Sequence, residues 1–338
     1  MDTLEVRSAE RGSGADQVLP VTVVVCAYTE ERWTQTCAAL QSALTQKPRP
    51  AQVLLVVDHN PYLEFRAQRE LSQVTVVHNA ESKGLSGARN TGLAHATQPV
   101  TVFLDDDAEA RPGWLAALVE PYSRPEVVAT GGSVHPRWPG ERPWWFPGTF
   151  DWVIGCSYVG MPTDDGVIRN PIGANMSLRT ESAVAAGGFD AGIGRVGHRP
   201  RGCEETELCI RLTERRSGSS VWYVPIAAVD HHVSRDRLTG RYFLHRCWHE
   251  GRSKADVVRM TNSSAGLASE RRHAVRIIPV TILRDVRVSL RGDTAGLGRA
   301  AAATCGLAAT TAGYLAGRLS QAVGARKRQR TFRTTSGS

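Results

Sequence analysis

Three short stretches of the chain carry residue types that could do chemistry together. Asp105-Asp106-Asp107 closes a largely apolar run, Val100 to Leu104. Adjacent carboxylates repel one another unless a counter-charge is supplied. If the run is extended, Asp105 and Asp107 can point one way while Asp106 faces another. A hard divalent cation would offset that pair and share phosphate oxygens with it. An acidic turn ahead of a helix starting at Pro112 accounts for the same residues more plainly. Glu204, Glu205 and Glu207 crowd a second stretch. Exposed amides at a helix start favour such charges, yet adjacent glutamates also offer a base for an acceptor hydroxyl, Glu205 first and Glu204 as the alternative. In the third stretch, His231 and His232 follow Val229-Asp230. An imidazole there could add a nitrogen ligand to a metal, or serve structure alone.

Lys83-Gly84-Leu85-Ser86-Gly87-Ala88-Arg89-Asn90 sets two glycines and two cations at a helix start, where free N–H groups can face phosphates. A routine tight turn would use the same glycines. The segment does not match G-x-x-x-x-G-K-[ST], and no G-x-G-x-x-G follows Val21 to Ala27. Walker-type and dinucleotide sites are therefore unsupported.

The elements that must position these residues alternate in the first half. Strands are expected at Val21 to Ala27, Val53 to Val57, Val74 to His78, Val100 to Leu104 and Val127 to Thr130. Helices are expected at Glu31 to Gln46, Gly84 to Ala96 and Pro112 to Tyr122. Repeated βα units imply an α/β fold with a mostly parallel twisted sheet flanked by helices. Ligands of such sheets bind beyond the carboxyl ends of the strands, where both Asp58 and the aspartate triplet fall. The second half is less regular. Pro136 to Trp152 holds Trp138, Trp144, Trp145 and Trp152 among prolines, and reads as an aromatic loop over a substrate groove, with structural packing of a long loop as the other account. Helices are expected at Glu204 to Arg216 and at Arg241 to Glu250, the latter carrying Arg246 and Trp248, with a strand at Val221 to Pro225.

The 338 residues carry a formal charge of +8, much of it at Arg326, Lys327, Arg328, Arg330 and Arg333, which implies an anionic partner without naming one. No basic and aromatic alternation supports nucleic acid. Seven scattered cysteines without a C-x-x-C pair argue against disulfides or structural zinc and fit a reducing cytoplasm. Ala300 to Gly317 is uncharged but rich in Ala, Gly and Thr, which suits a packed helix or peripheral membrane contact better than a span. The expected organisation is a leader at 1–20, a catalytic domain at 21–255 with halves 21–134 and 135–255, a helical extension at 256–320, and a basic disordered tail at 321–338.

In order and spacing, several motifs resemble the inverting family-2 glycosyltransferases with the GT-A fold, over roughly Val21 to Ala255. They are Val23-Val24-Val25-Cys26-Ala27-Tyr28-Thr29-Glu30, Asp58, Lys83-Gly84 through Ala88-Arg89-Asn90, Asp105-Asp106-Asp107, Gly173-Ala174-Asn175 and Glu204-Glu205. The resemblance implies a nucleoside-diphosphate-sugar donor, a UDP-sugar preferred. Ala27, Tyr28, Glu30 and Asp58 would hold its base and ribose, with Lys83, Gly84 and Arg89 on the phosphate side. Asp105 and Asp106 would contact the donor, and Asp105, Asp107 and His231 would bind Mn²⁺ or Mg²⁺. Asn175 would sit by donor sugar or acceptor, and Trp144, Trp145 and Trp248 would face the acceptor. Glu205 would be the base, where relatives often have Asp. The stretch from His231 through Ser253 resembles a subgroup acting on polyprenyl-linked or cell-envelope glycans, some of which transfer glucuronic acid to a lipid-linked glucose. That implies work at the cytoplasmic membrane face, on an anionic surface. A Q-x-x-R-W motif is absent, so a single addition is expected rather than processive synthesis. Metal-dependent nucleotidyl transfer and non-catalytic carbohydrate or lipid binding are the other readings.

Overall fold

A computed structural model describes residues 17–192, 202–261 and 268–335, with the side chains of 261, 268–269 and 323–335 outside the description. The first half runs β1 (Val18–Ala27), α1 (Trp33–Leu44), β2 (Arg49–Val57), α2 (Pro61–Glu70), β3 (Thr75–His78), α3 (Leu85–His95) and β4 (Val100–Asp105). Then come β5 (Ala108–Ala110), α4 (Trp114–Val119), β6 (Val127–Arg137), β7 (Gly166–Ile168), β8 (Asn175–Arg179) and α5 (Thr180–Ala185). The chain continues with α6 (Glu204–Arg215), β9 (Ser220–His232), α7 (Gly240–Thr261), α8 (Ala268–Arg272), α9 (Ile278–Ser289) and α10 (Ala295–Thr335).

The apolar runs are unbroken because the sheet is covered on both faces. Val23, Val25, Leu55, Val57, Val102 and Leu104 face one core. Val24, Leu54, Val56 and Phe103 face the other. Side chains alternate across each strand, so a doubly covered strand has no polar positions in its middle. Strand order is β3-β2-β1-β4-β8-β6-β9-β5, with β7 pairing β9. The first four strands are parallel. β8 then enters antiparallel to both β4 and β6. Ala27 pairs with Val57 and Cys26 with Asp105, so β1, β2 and β4 release their carboxyl ends along one edge.

Some expectations need adjusting. β1 starts at Val18, so Val18 to Pro20 belong to the sheet rather than the leader. The tryptophan-rich stretch is largely core. Phe146 and Phe150 are buried, and Trp145, Phe146 and Phe243 meet edge to face at 5.4–5.7 Å. Its prolines break regular structure, and of its rings Trp144 alone is left largely exposed, at 64%.

The charge-free Ala/Gly segment lies in α10, which continues through the basic residues to Thr335. Among the described residues, no helix is long and apolar enough to cross a membrane. α10 packs on α7, and its small residues permit backbone-to-backbone approach. A Cβ on Gly313 would meet the Trp248 carbonyl oxygen at 2.1 Å, and one on Gly251 would meet that of Thr310 at 2.0 Å. Gly313→Leu should therefore destabilise the protein by at least about 1–3 kcal/mol, as overpacking does. Leu319→Ala, on the exposed side of the same helix, should change stability by no more than about 0.5 kcal/mol. Chemical denaturation of both variants checks this, and equal midpoints would refute the packing account.

Candidate active site

Strand register decides which acidic residues meet. β4 ends at Asp105, a turn holds Asp106 and Asp107, and β5 pairs with β9 so that Ala108 lies opposite His231. The His232 N–H donates to the Asp107 carbonyl at 2.7 Å. Ligand atoms of Asp105, Asp107 and His231 consequently lie within 4.8 Å of one another. Asp106 faces away, as alternation suggested, although a turn rather than an extended strand achieves it. Its Oδ1 accepts from Arg32 Nη1 at 2.9 Å, and its Oδ2 is buried with no partner among the described residues.

Asp107 is the most heavily compensated of the three. It lies 3.1 Å from both His231 and Arg32, and 3.7 Å from Arg237. Burial works against its charge, but His231 and the two arginines hold it far below the usual carboxylate range. Burial also opposes charge on His231, yet the neighbouring Asp107 raises that ring to about 10. Asp106 is pushed up to about 7 by burial and by Asp107, against the pull of Arg32. Two carboxylates and an imidazole form a donor set that a divalent cation can share. A cation bound here would have to displace the His231 proton.

A second set of charges lies across Arg89, which is 2% exposed. Its Nη1 donates to Glu204 at 3.0 Å, and its Nη2 donates to Asp105 at 3.4 Å and the Gly173 carbonyl at 3.1 Å. α3 supplies the arginine after Gly84, whose φ of 127° turns the chain into the helix. Glu204 opens α6, and its second oxygen is buried without a partner among the described residues. Glu205, next in the chain, is half-buried on a cleft wall, and burial followed by Glu204 pushes its carboxyl up to about 7.

That cleft has a volume of about 1280 Å³ and is walled by Asp105, Glu204, Glu205, Arg246 and Lys254 among others. A smaller cavity of about 80 Å³ adjoins the acidic cluster, lined by Arg32, Asp105, Asp107, His231, Arg237 and Arg246. Asp105 and Arg246 border both, so the cavities share a wall.

The glycosyl transferase family 2 model matches residues 22–184. A glucosyl-dolichyl phosphate glucuronosyltransferase of Haloferax volcanii is 34% identical over 240 residues, 70% of this chain and 76% of that protein. The chain belongs to glycosyltransferase family 2. A pre-mycofactocin glycosyltransferase of Mycobacterium tuberculosis is 30% identical over 168 residues, 47% of this chain and 32% of its own. Two solved structures share the GT-A fold at low identity. A mannosyltransferase, PcManGT, from Pyrobaculum calidifontis with GDP-Man and Mn²⁺ has a TM-score of 0.56 at 16% identity, covering 88% of this chain and 87% of that one. GalNAc-T7 with UDP, GalNAc and Mn²⁺ has a TM-score of 0.51 at 17% identity, covering 72% and 54%.

Within this family-2 enzyme, the structure gathers Asp105, Asp107 and His231, joins Glu204 to Asp105 through Arg89, and sets Glu205 on the same cleft. Ala27 is buried, while Tyr28 is 49% exposed beneath the Arg32 guanidinium. Lys83 and Glu30 are exposed, and Gly84 is buried. Asp58 is largely engaged internally, accepting from the Gly84 N–H at 2.9 Å and from Asn79 at 2.6 Å. Asn175 is a correction. It is fully buried, accepts from Trp114 Nε1 at 2.8 Å, and donates to the Ser133 and Ala227 carbonyls at 2.9 and 2.8 Å. Those bonds use both side-chain N–H groups inside the sheet, so the amide has no exposed face to offer a ligand. Trp144, Trp145 and Trp248 also stand off the cleft wall, where Phe150 and Trp152 take part instead. Trp144 lies over Gly298, and Trp145 packs on Phe146 and Phe243.

Sequence reasoning missed Arg32 and Arg237, which balance Asp107, and a charged cluster on the cleft wall. There Lys254 lies 2.6 Å from Glu270 and 3.3 Å from Glu250, and Arg169 bonds Glu270. Arg32 had one local signal, its place one helical turn after Tyr28; the others are brought in from afar. Asn175→Ala should lower stability by at least about 1–3 kcal/mol, because it orphans the buried Trp114 N–H and two carbonyls, while leaving donor KM near wild type. Denaturant unfolding and steady-state kinetics check this, and a raised donor KM at intact stability would restore a ligand role to Asn175.

Proposed function

We propose that this glycosyltransferase moves a sugar from a nucleoside-diphosphate-sugar, a UDP-sugar preferred, to a hydroxyl of a lipid-linked glycan, with inversion and with Glu205 as base. One observation carries the assignment of the base. Of two adjacent glutamates, Glu204 has an oxygen bound to Arg89, whereas Glu205 stands on the cleft with its carboxyl up to about 7. A base works best when its pKa is near the working pH. Glu205 would take the acceptor proton while the acceptor oxygen attacks the anomeric carbon from the side opposite the diphosphate. Arg32, Arg237 and Arg246 border the small cavity, where they are placed to receive the charge of that leaving group. Asp105, Asp107 and His231 would hold Mn²⁺ or Mg²⁺, which when bound supplies a Lewis acid for the diphosphate oxygens.

The Haloferax relative acts, by its name, on a glucosylated dolichyl phosphate, which supports a lipid-linked acceptor here. The cleft is consistent with one. The exposed Arg271 and Arg272 suit an anionic head, and Phe150, Trp152 and Ile277 suit the start of a prenyl chain.

Glu205→Gln should lower kcat by about 10²–10⁴ with little change in donor KM. In the wild type kcat should climb with pH and level off above about 7, because only the ionised Glu205 accepts a proton. The acidic limb should vanish from the residual activity of the variant. Full turnover in Glu205→Gln with none in Glu204→Gln would move the base to Glu204.

Nucleoside-diphosphate release should also be measured over UDP-, GDP- and dTDP-sugars, with Mn²⁺ or with chelator. One donor should give metal-dependent release. Pyrophosphate instead would indicate nucleotidyl transfer, and release that ignores chelator would remove the metal from the scheme.

A further inference from the structure

α9 and the turn before it, His273–Ile277, are two-sided. Inward, Ile278, Thr281 and Asp285 are buried, and Arg299 lies 3.3 Å from Asp285. Outward, Val280 is 65%, Leu283 57% and Leu290 83% exposed. Arg276, Arg284, Arg287 and Arg291 are exposed among them. At about 100° per residue Val280, Leu283, Arg284 and Arg287 share one face of α9 spanning roughly 100°, with Arg276 just before the helix and Leu290 and Arg291 just past its end, and among the described residues no exposed carboxylate interrupts it. Arg276, Arg287 and Arg291 form no ion pair with any described residue, and Arg284 approaches only the buried Asp285, at 3.7 Å.

Such a face is incompletely answered by most partners. Nucleic acid would neutralise the arginines but leave three aliphatic side chains in water. An apolar protein groove would cover the aliphatics but strand the guanidinium groups. An anionic bilayer answers both, because the aliphatics enter the acyl boundary while the long arginine stems keep their heads at the phosphates. The same stretch also walls the catalytic cleft, through Arg272, His273, Ile277 and Ile278. Membrane contact and cleft are thus two sides of one element.

The geometry points to this α9 face, Arg276 to Arg291, as the surface on which the enzyme docks to an anionic membrane, bringing its cleft to the headgroup level. The docking serves a lipid-linked acceptor and in that respect rests on the function proposed above. It locates the contact in α9, not in the Ala/Gly-rich run of α10, which packs on α7.

The test is flotation of the full chain with vesicles of phosphatidylcholine alone, or of phosphatidylcholine and phosphatidylglycerol in equal parts. Binding is expected only to the anionic vesicles, and should weaken with salt. Val280→Asp with Leu283→Asp should lower partitioning by about tenfold or more, and Arg284→Gln or Arg287→Gln by about fivefold each. These positions are exposed, so thermal midpoints and nucleoside-diphosphate release to a water-soluble acceptor should stay at wild-type values. A variant with glutamine at Arg326, Lys327 and Arg328 is the comparator. Binding that ignores the α9 substitutions, that is lost only in the comparator, or that is equal on neutral vesicles overturns the proposal. Vesicle binding that responds as expected in a protein that turns over no donor upholds the docking face and overturns the reaction. Intact transfer with α9-independent binding does the reverse.

Discussion

A buried guanidinium ties the catalytic half-sites together. Arg89 cannot shed its charge and is almost wholly withdrawn from water, so its neighbours must answer it. Asp105 comes from the end of β4, Glu204 from the start of α6, and the Gly173 carbonyl from the approach to β8. Phe103 and Phe189 lie at 5.9 and 5.5 Å from the guanidinium carbon. Removing one partner from such a buried set costs about 3–5 kcal/mol, enough to make the spacing between acidic strand end and late glutamates a rigid property of the fold. Gly173 is part of the constraint, since a Cβ there would lie 2.8 Å from Nη2.

The same logic distributes roles among chemically similar residues. Asp106 and Asp107 are driven apart by what surrounds them, one way a site obtains both a fixed charge and a titrating group. Asp107, ringed by His231, Arg32 and Arg237, stays anionic, while Asp106 with a single arginine is pushed up. Arg89 binds one oxygen of Glu204, whereas Glu205 faces the cleft with its carboxyl up to about 7. Adjacent positions in the chain thereby acquire different chemistry without a difference in residue type.

The cleft is completed from outside the family-matched residues 22–184. Glu205 on α6, Arg246 and Lys254 on α7, and Ile277 before α9 all wall it. α10 holds these helices by close approach rather than by large apolar side chains, with Gly306 against Phe150 and Phe243, and Gly313 against the α7 backbone. Alanine and glycine in that helix therefore signify tight packing, which explains a segment too weakly apolar for a bilayer yet free of charge.

Local pattern was enough to locate β1 to β4, β6 and part of β9, their carboxyl edge, the aspartate triplet and the paired glutamates, but not the short β5 and β7 or the antiparallel β8. Buried parallel strands write themselves as apolar runs, and a polar cluster at the end of such a run is conspicuous wherever it occurs. The sequence order of these motifs also carried the family. Long-range placement decided the rest. Asn175 lay in a motif but spends its hydrogen bonds inside the sheet, and the tryptophan loop folds into the core because α7 and α10 arrive to cover it. Arg32 and Arg237 reach Asp107 only through folding, and Arg89 picks Glu204 over Glu205 from more than a hundred residues away. Sequence alone thus determined which residue types stand at strand and helix ends, a consequence of period and burial. Which of them pair, titrate or remain open to a ligand was decided by tertiary structure, because buried charges are settled by neighbours that adjacency in the chain does not specify.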